Sequence, residues 1–229
     1  MTDIEWKAFS LTHVEYPKGD IIGQLLAISS LAPVAIIVGF VTLILFRRDL
    51  HTITFFAGAL LNEGINLLLK HIIAEPRPWL RKGLYTEYGM PSSHSQMMWF
   101  FAAYCVLFLI FRLRHISSSM MELLWKVVVA VCLITAAFIV MYSRVYLLYH
   151  TWGQVLWGAL VGIILGLGWF TLTHLMLTPL FPIVASWKVC ETLMIRDTSL
   201  IPNILWFEYT HARTENRARS RKLASMKSQ

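Results

Sequence analysis

This 229-residue sequence has few charged residues, since 14% are Asp, Glu, Lys or Arg while 57% are apolar. Soluble globular domains contain about 25% charged and about 45–50% apolar residues. The mean hydropathy of +0.60 agrees with this imbalance. A soluble domain is therefore excluded, and the length suits one integral membrane bundle. The net charge of +7 does not indicate nucleic acid, because the basic residues fall in short loops and in the C-terminal tail.

Cysteine is scarce as well, and the three positions suggest no shared role. Cys105, Cys132 and Cys190 are scattered, so we predict neither a disulfide framework nor a zinc site. The N-glycosylation sequence Asn-x-Ser/Thr does not occur. We expect no cleavable signal peptide, because residues 1–24 are mixed and polar and the first apolar run is too long for one.

The sequence is rich in long apolar runs, and five of them are long enough to cross a bilayer. We expect Pro33 to kink the first, Pro91 to begin the third and Pro179 to end the fifth. The sequence therefore predicts an all-α, polytopic transmembrane helix bundle with about five spans. A sixth span or a re-entrant segment after the fifth is left open. The five runs cover about residues 25–46, 53–73, 91–113, 123–141 and 151–177.

The basic residues predict how the bundle is oriented. The tail and the loops after the first and third spans lie on one side, which the positive-inside tendency makes cytosolic. The loops 74–95 and 143–150 then lie on the lumenal or extracellular side. We expect a single domain over residues 1–229, divided into an N-terminal segment on that side (1–24), a transmembrane core (25–177) and an interfacial segment with a cytosolic tail (178–229).

Three polar motifs interrupt the apolar pattern, each where an apolar stretch begins or ends, and the topology places all of them on one membrane face. Together they supply three permanent cations, two imidazoles and a helix N-terminus. Such a set suits metal-free phosphoryl transfer, in which a histidine takes the phosphoryl group and cations hold its oxygens. The motifs are Lys70-x6-Arg77-Pro78, Pro91-Ser92-Ser93-His94 and Ser143-Arg144-x5-His150.

The residue types in these motifs predict separate roles. His150 is the candidate nucleophile, and His94 is the candidate general acid for the leaving group. The remaining polar groups would bind phosphate oxygens together with the helix N-terminus. These phosphate-binding candidates are Lys70, Arg77, Ser92, Ser93 and Arg144.

Each motif taken alone also has a purely structural interpretation. Charges at the end of a span often snorkel to the lipid headgroups, and Ser92 could simply cap a helix. Arg144 and His150 could be interfacial anchors within an aromatic belt. That belt would contain Tyr142, Tyr146 and Tyr149.

The ordered motifs resemble the type 2 phosphatidic acid phosphatase superfamily of membrane lipid phosphatases. Within it, the chain resembles the eukaryotic branch that acts on dolichyl diphosphate in the endoplasmic reticulum. The resemblance implies hydrolysis to dolichyl phosphate and phosphate on the lumenal face, without a metal or other cofactor, which recycles the lipid carrier of N-glycosylation. It also implies His150 as nucleophile and His94 as acid. The segments that carry the closer resemblance are residues 11–17, 89–96, 142–152 and 196–203.

Two positions depart from the superfamily pattern. Ser93 stands where Pro-Ser-Gly-His motifs have glycine, and Gln154 stands where an Asp follows the nucleophile by four residues. The Gln154 side-chain oxygen could still accept from Nδ1–H of His150 and fix its tautomer. A neutral amide, however, lacks the charge of a carboxylate.

A replacement carboxylate must come from a glutamate, since no Asp occurs between Asp49 and Asp197. Glu63 would lie too deep in its span, whereas Glu75 and Glu87 in the following loop are left open. Alternatively, a diphosphate substrate relaxes the need for the Asp, because its leaving group is a phosphomonoester.

Two other functions are left open. An inactive relative that binds or moves polyprenyl phosphates would explain the neutral Gln154. A phosphatase for phosphatidate or a sphingoid phosphate would use the same motifs. The implied partners are a polyprenyl diphosphate and the lipid bilayer, and the sequence predicts no oligomeric state.

Overall fold

A computed structural model describes residues 6–9, 14–78, 88–112, 120–201 and 204–227. A short hairpin comes first, with β1 (Trp6–Phe9) paired antiparallel to β2 (Val14–Pro17). The long helices follow as α1 (Ile21–Ser29), α2 (Ala32–Arg47), α3 (Leu50–Ile73), α4 (Ser93–Phe111), α5 (Met120–Tyr146) and α6 (Trp152–Leu172). The C-terminal part contains α7 (Phe181–Ala185), α8 (Lys188–Thr192) and α9 (Ile204–Lys227).

Five helical stretches of the described chain are long and apolar enough to cross a membrane. The predicted all-α bundle with about five spans is therefore confirmed, and the hairpin and the tail helix α9 are elements that the apolar pattern did not predict. The stretches are Ile21–Arg47, Leu50–Ile73, Ser93–Phe111, Leu123–Tyr146 and Trp152–Ala185.

The first span is interrupted before Pro33 rather than kinked at it. The helix α1 ends at Ser29, and Pro33 lies in the first turn of α2, where the N–H that proline lacks would have no helical partner. Ser30 is fully buried at the interruption, and its hydroxyl donates to the Ala27 carbonyl at 2.7 Å. The interruption therefore begins a new helix instead of bending one.

Two predicted helix boundaries are wrong. The third span begins at Ser93, not at Pro91, because the backbone of Ser92 is extended. Its N–H donates to the Gln154 carbonyl at 3.1 Å, which holds Ser92 in that position. The fifth span does not end at Pro179. It continues to Ala185 through a π-helical turn and a short 3₁₀ turn, and Pro179 occupies the first turn of the latter.

The fourth span is longer than its apolar run predicts. It continues to Tyr146, so Ser143 and Arg144 lie inside the last turns of α5 rather than beyond its end. Ser143 is buried there and donates its hydroxyl to the Val140 carbonyl at 2.7 Å. The helix therefore carries Arg144 to a fixed position at the end of the bundle.

The helix α4 lies at the centre and packs closely against α6. Glycines at every fourth position of α6 face α4, where a Cβ at Gly158 would lie 2.7 Å from the Ser92 carbonyl oxygen. Small residues at this spacing allow two membrane helices to approach each other. Ser95 reinforces the contact by donating its hydroxyl to the Val155 carbonyl at 2.7 Å.

Buried amides join α3 to α4 inside the span. Gln96 donates to the backbone and side-chain oxygens of Asn62 at 2.9 and 3.0 Å. Asn66 donates to the Gln96 side-chain oxygen at 2.8 Å and to the Pro91 carbonyl at 3.3 Å. These bonds fix the end of α3 relative to the beginning of α4, which are the two places that carry the first two motifs.

The C-terminal part packs at the opposite end of the bundle. Leu50 N–H donates to the Arg196 carbonyl at 3.1 Å, and Arg196 N–H donates to the Arg48 carbonyl at 2.9 Å. Glu208 in α9 forms ion pairs with Arg47 at 2.7 Å and with Arg196 at 3.1 Å. The beginning of α9 is thereby tied to the junction between α2 and α3.

Replacing Gly162 by alanine tests the close approach of α4 and α6. Its added Cβ would overlap the Gln96 carbonyl oxygen, whereas a Cβ at Gly168 meets nothing within 4 Å. Overpacking of this kind costs about 1–3 kcal/mol. We expect Gly162→Ala to lower the midpoint of thermal unfolding in detergent and Gly168→Ala to leave it unchanged; equal midpoints would contradict this packing.

Candidate active site

The three motifs meet at one end of the bundle. Lys70 lies in the last turn of α3, Ser92 is the N-cap residue of α4, and His150 immediately precedes the N-cap residue of α6. The turn between α5 and α6 is held by the Arg144 carbonyl, which accepts from Tyr149 N–H at 3.0 Å and from His150 N–H at 3.1 Å. The candidate nucleophile is thus fixed to a helix end at its backbone.

The imidazole of His150 is buried, with 3% exposed, and its Nδ1 has two oxygen neighbours. Nδ1 lies 2.9 Å from the Gly89 carbonyl and 3.2 Å from Oε1 of Gln154. Because a carbonyl oxygen only accepts, Nδ1 carries the proton and donates it. The lone pair of the neutral ring is therefore on Nε2, the atom that a nucleophilic histidine needs.

The side chain of Gln154 is fully buried and uses both ends of its amide. Oε1 accepts from His150 Nδ1 and, at 3.3 Å, from Thr151 N–H. Nε2 donates to Oε1 of Glu75 at 2.8 Å and to the Pro76 carbonyl at 2.9 Å. Two donors face the oxygen and two acceptors face the nitrogen, so the neighbours fix the orientation of the amide.

Gln154 also closes the N-terminus of α6. Its backbone N–H donates to the Thr151 hydroxyl at 3.3 Å, which completes a capping box with the Oε1 bond to Thr151 N–H. Gly89 packs directly over the amide, where a Cβ would lie 2.7 Å from Nε2. A side chain at position 89 would therefore displace the Gln154 amide from its hydrogen bonds.

Among the glutamates that the sequence left open, Glu75 is the one that the structure places behind Gln154. Its carbonyl also accepts from Gly89 N–H at 2.7 Å, which joins the chain after α3 to the chain before α4. Glu63 lies elsewhere, on an apolar cavity beside His94, as its depth in the span predicts. Glu87 lies outside the described residues.

Arg144 is buried, with 5% exposed, and is not an interfacial anchor. Its guanidinium carbon lies 4.0 Å from the centre of the Tyr149 ring, and the Tyr149 hydroxyl accepts from Glu15 N–H at 2.9 Å. The belt interpretation of Tyr149 is therefore wrong, because this residue links the N-terminal hairpin to Arg144. Tyr142 and Tyr146 are 45% and 37% exposed, as a belt requires.

The positive charges of the motifs act on both imidazoles. Burial, followed by the charges of Arg144 and Arg77, holds the pKa of His150 well below its usual value, and Lys70 contributes in the same direction. The same three cations lie within electrostatic range of His94. The structure thus brings the predicted cations and histidines together around one space.

Ser92 is an N-cap residue whose hydroxyl does not cap the helix. The hydroxyl oxygen is buried and has no hydrogen-bond partner among the described residues. The first intrahelical bond runs from Gln96 N–H to the Ser92 carbonyl at 2.9 Å, so the N–H groups between them point out of the helix end. The hydroxyl and these N–H groups are suited to an anion, and the simple capping interpretation of Ser92 does not hold.

An apolar cavity of about 290 Å³ adjoins this polar end. It lies between α2, α3 and α4, and Val34, Ala59 and Met97 are among its apolar lining residues. Ser93 and His94 also line it. The arrangement places an apolar space directly beside the candidate acid.

Sequence reasoning missed the Gly89 carbonyl and the contact of Tyr149 with Arg144, and it left open whether Glu75 or Glu87 lies behind Gln154. These contacts join residues that are far apart in the chain, except that Tyr149 lies close to Arg144. The sequence offered one signal, since Glu75 stands two residues before Arg77 in the first motif.

Comparison with known proteins shows the family of this chain. The PAP2 superfamily matches residues 51–176, which include all three motifs and more than half of the chain. This chain belongs to the PAP2 superfamily. No solved structure matches it.

Full-length relatives share much of the sequence. Human dolichyldiphosphatase 1 is 56% identical over 223 residues, which cover 96% of this chain and 94% of the relative. Lipid phosphate phosphatase gamma of Arabidopsis thaliana is 42% identical over 217 residues, which cover 90% and 91%. The dolichyldiphosphatase of Saccharomyces cerevisiae is 32% identical over 164 residues, which cover 69% and 66%.

The protonation of His150 can be measured by NMR on protein labelled with ¹⁵N-histidine in detergent, with His150→Gln identifying its signals. Because the pKa is lowered, the ring stays neutral as the pH falls through 6.5, and the Gly89 carbonyl keeps the proton on Nδ1. A ring that titrates at or above pH 6.5, or that carries its proton on Nε2, would contradict the geometry.

Proposed function

We propose that this chain is a membrane phosphatase that hydrolyses dolichyl diphosphate to dolichyl phosphate and inorganic phosphate. The observation that carries the proposal is the tautomer of His150, which leaves a lone pair on Nε2 among three cations. The human and yeast relatives named dolichyldiphosphatase support this choice of substrate.

In the first step, Nε2 of His150 attacks the terminal phosphorus in line with the bridging oxygen. The N–P bond forms as the bond from phosphorus to the bridging oxygen breaks, and His94 donates a proton to the departing dolichyl phosphate. Arg77, Arg144 and Lys70 hold the phosphate oxygens, with the Ser92 and Ser93 groups at the N-terminus of α4. The Gln154 oxygen and the Gly89 carbonyl stabilise the positive ring that results.

In the second step, a water molecule attacks the phosphohistidine. His94, now neutral, takes a proton from the water as the new P–O bond forms, and the N–P bond breaks. Phosphate leaves, and His150 returns to the neutral tautomer that its Nδ1 partners select. The cycle restores both histidines.

The isoprenoid chain occupies the apolar cavity between α2, α3 and α4. Ser93 and His94 line the cavity, so a lipid lying in it brings its phosphates to the candidate acid, which is within electrostatic range of the cations. It also lies between membrane-spanning helices, where the substrate already resides. This arrangement explains how a phosphatase reaches a headgroup without extracting the lipid.

The catalytic face is lumenal and the C-terminal tail cytosolic, in the membrane of the endoplasmic reticulum. Arg47, Arg112 and the basic helix α9 lie at the end of the bundle opposite the catalytic groups, which supports this orientation by the positive-inside tendency. The N-terminal residues before the first span are then lumenal, and the residues after Ala185 form the interfacial segment and the cytosolic tail. Such an enzyme recycles the lipid carrier of N-glycosylation.

The activity is tested by measuring phosphate release in detergent from dolichyl diphosphate, dolichyl phosphate and phosphatidate, each with chelator. We expect the diphosphate to be preferred, His150→Ala to abolish release, and His71→Ala, an exposed histidine of the same helix end, to retain it. Full activity of His150→Ala, or loss of wild-type activity in chelator, would refute the metal-free mechanism. A preference for phosphatidate would refute the substrate.

The site of the lipid chain is tested by filling the cavity. Val34 lines the cavity and is 52% exposed, while Val41 is a similarly exposed residue of α2 that does not line it. We expect Val34→Trp to lower kcat/KM for dolichyl diphosphate by about tenfold, the effect of about 1.4 kcal/mol of lost binding, and Val41→Trp to have little effect. A short-chain, water-soluble diphosphate should be hydrolysed equally by both variants; equal loss with that substrate would contradict the assignment.

A further inference from the structure

We propose that Glu75 is a positioning residue for His150. The carboxylate of Glu75 polarises the Gln154 amide and thereby strengthens the hydrogen bond between that amide and the imidazole. The consequence for turnover rests on the proposed function, since it concerns the nucleophile of that reaction. The hydrogen-bond arrangement itself does not depend on the proposed function.

The three groups form a chain of hydrogen bonds that all run in one direction. Nδ1–H of His150 donates to Oε1 of Gln154 at 3.2 Å, and Nε2–H of Gln154 donates to Oε1 of Glu75 at 2.8 Å. A bond to an ionised acceptor is about twice as strong as one between neutral groups, and bonds in a chain polarise one another. The negative charge of Glu75 therefore makes the Gln154 oxygen a better acceptor.

Formation of the phosphohistidine is favoured by a negative charge near Nδ1 of His150. When Nε2 bonds to phosphorus, the ring keeps its Nδ1 proton and becomes positive. Arg144, Arg77 and Lys70 surround it and oppose that positive charge, although they are required for the phosphate. The carboxylate of Glu75, which is connected to the ring through the Gln154 amide, offsets this opposition. No proton passes to Glu75 at any step.

Backbone groups of Gly89 and Pro76 hold the side chains of His150, Gln154 and Glu75 in this arrangement. Gly89 presents its carbonyl to Nδ1 and leaves room for the amide, while its N–H donates to the Glu75 carbonyl at 2.7 Å. Pro76 offers its carbonyl to the same Nε2 at 2.9 Å. Because Glu75 also has this backbone role, a test must change its charge and leave its shape and backbone intact.

Glu75→Gln is that change, because glutamine has the same shape and still offers Gln154 an oxygen acceptor. Glu191→Gln, at an exposed glutamate in α8, is the matched control for the loss of one negative charge. The first measurement is the ¹H NMR signal of Nδ1–H of His150. We expect it to move upfield in Glu75→Gln, as its hydrogen bond weakens, and to stay in place in Glu191→Gln.

The second measurement is phosphate release from dolichyl diphosphate. Glu75→Gln keeps the hydrogen bond to Gln154 but removes its charge assistance, which is about half of its strength of about 1.5–3 kcal/mol. We therefore expect kcat to fall by roughly 4- to 13-fold, with KM nearly unchanged and an unchanged thermal midpoint. An unmoved Nδ1–H signal, or wild-type kcat in Glu75→Gln, would overturn the role of Glu75. Absence of phosphate release from the wild-type protein would instead refute the proposed function, and the NMR signal would still decide the link to Glu75.

Discussion

The rest of the site depends on the buried amide of Gln154. It joins the imidazole of His150, the N-terminus of α6 and the chain that follows α3, through four side-chain hydrogen bonds. A typical intramolecular hydrogen bond contributes about 1 kcal/mol, and one to a charged group about 1.5–3 kcal/mol. These bonds together give the nucleophile one orientation and one tautomer, while cations draw a negative substrate towards it.

The surrounding bundle makes this arrangement compatible with a membrane. Irregular backbone is tolerated near lipid only where protein or water satisfies its polar groups. Among the described residues between α3 and α4, two N–H groups meet that condition: Gly89 N–H donates to the Glu75 carbonyl, and Ser92 N–H donates to the Gln154 carbonyl. The close packing of α4 on α6 also buries the Ser92 hydroxyl, which has no hydrogen-bond partner among the residues that the structure describes.

The amino-acid sequence was sufficient to predict the spans, because apolar length and the charges at span ends are local properties. It also predicted which residues gather at one end, since alternating spans place the loops on two sides. It left open whether Glu75 or Glu87 reaches Gln154, and it did not predict that Gly89 fixes the His150 tautomer, because these contacts join residues 79 and 61 positions apart. The helix boundaries at Ser93 and Ala185 differ from the prediction because tertiary hydrogen bonds and proline placement overrode the local pattern.

The central claim is that Nε2 of His150 takes the phosphoryl group. It is tested most directly by quenching the enzyme in base during turnover of dolichyl diphosphate labelled at its terminal phosphate, and then mapping the labelled peptide. The mechanism predicts an acid-labile, base-stable label on the peptide that contains His150, and none in His150→Ala. A label on another residue, or turnover without any labelled peptide, would contradict it.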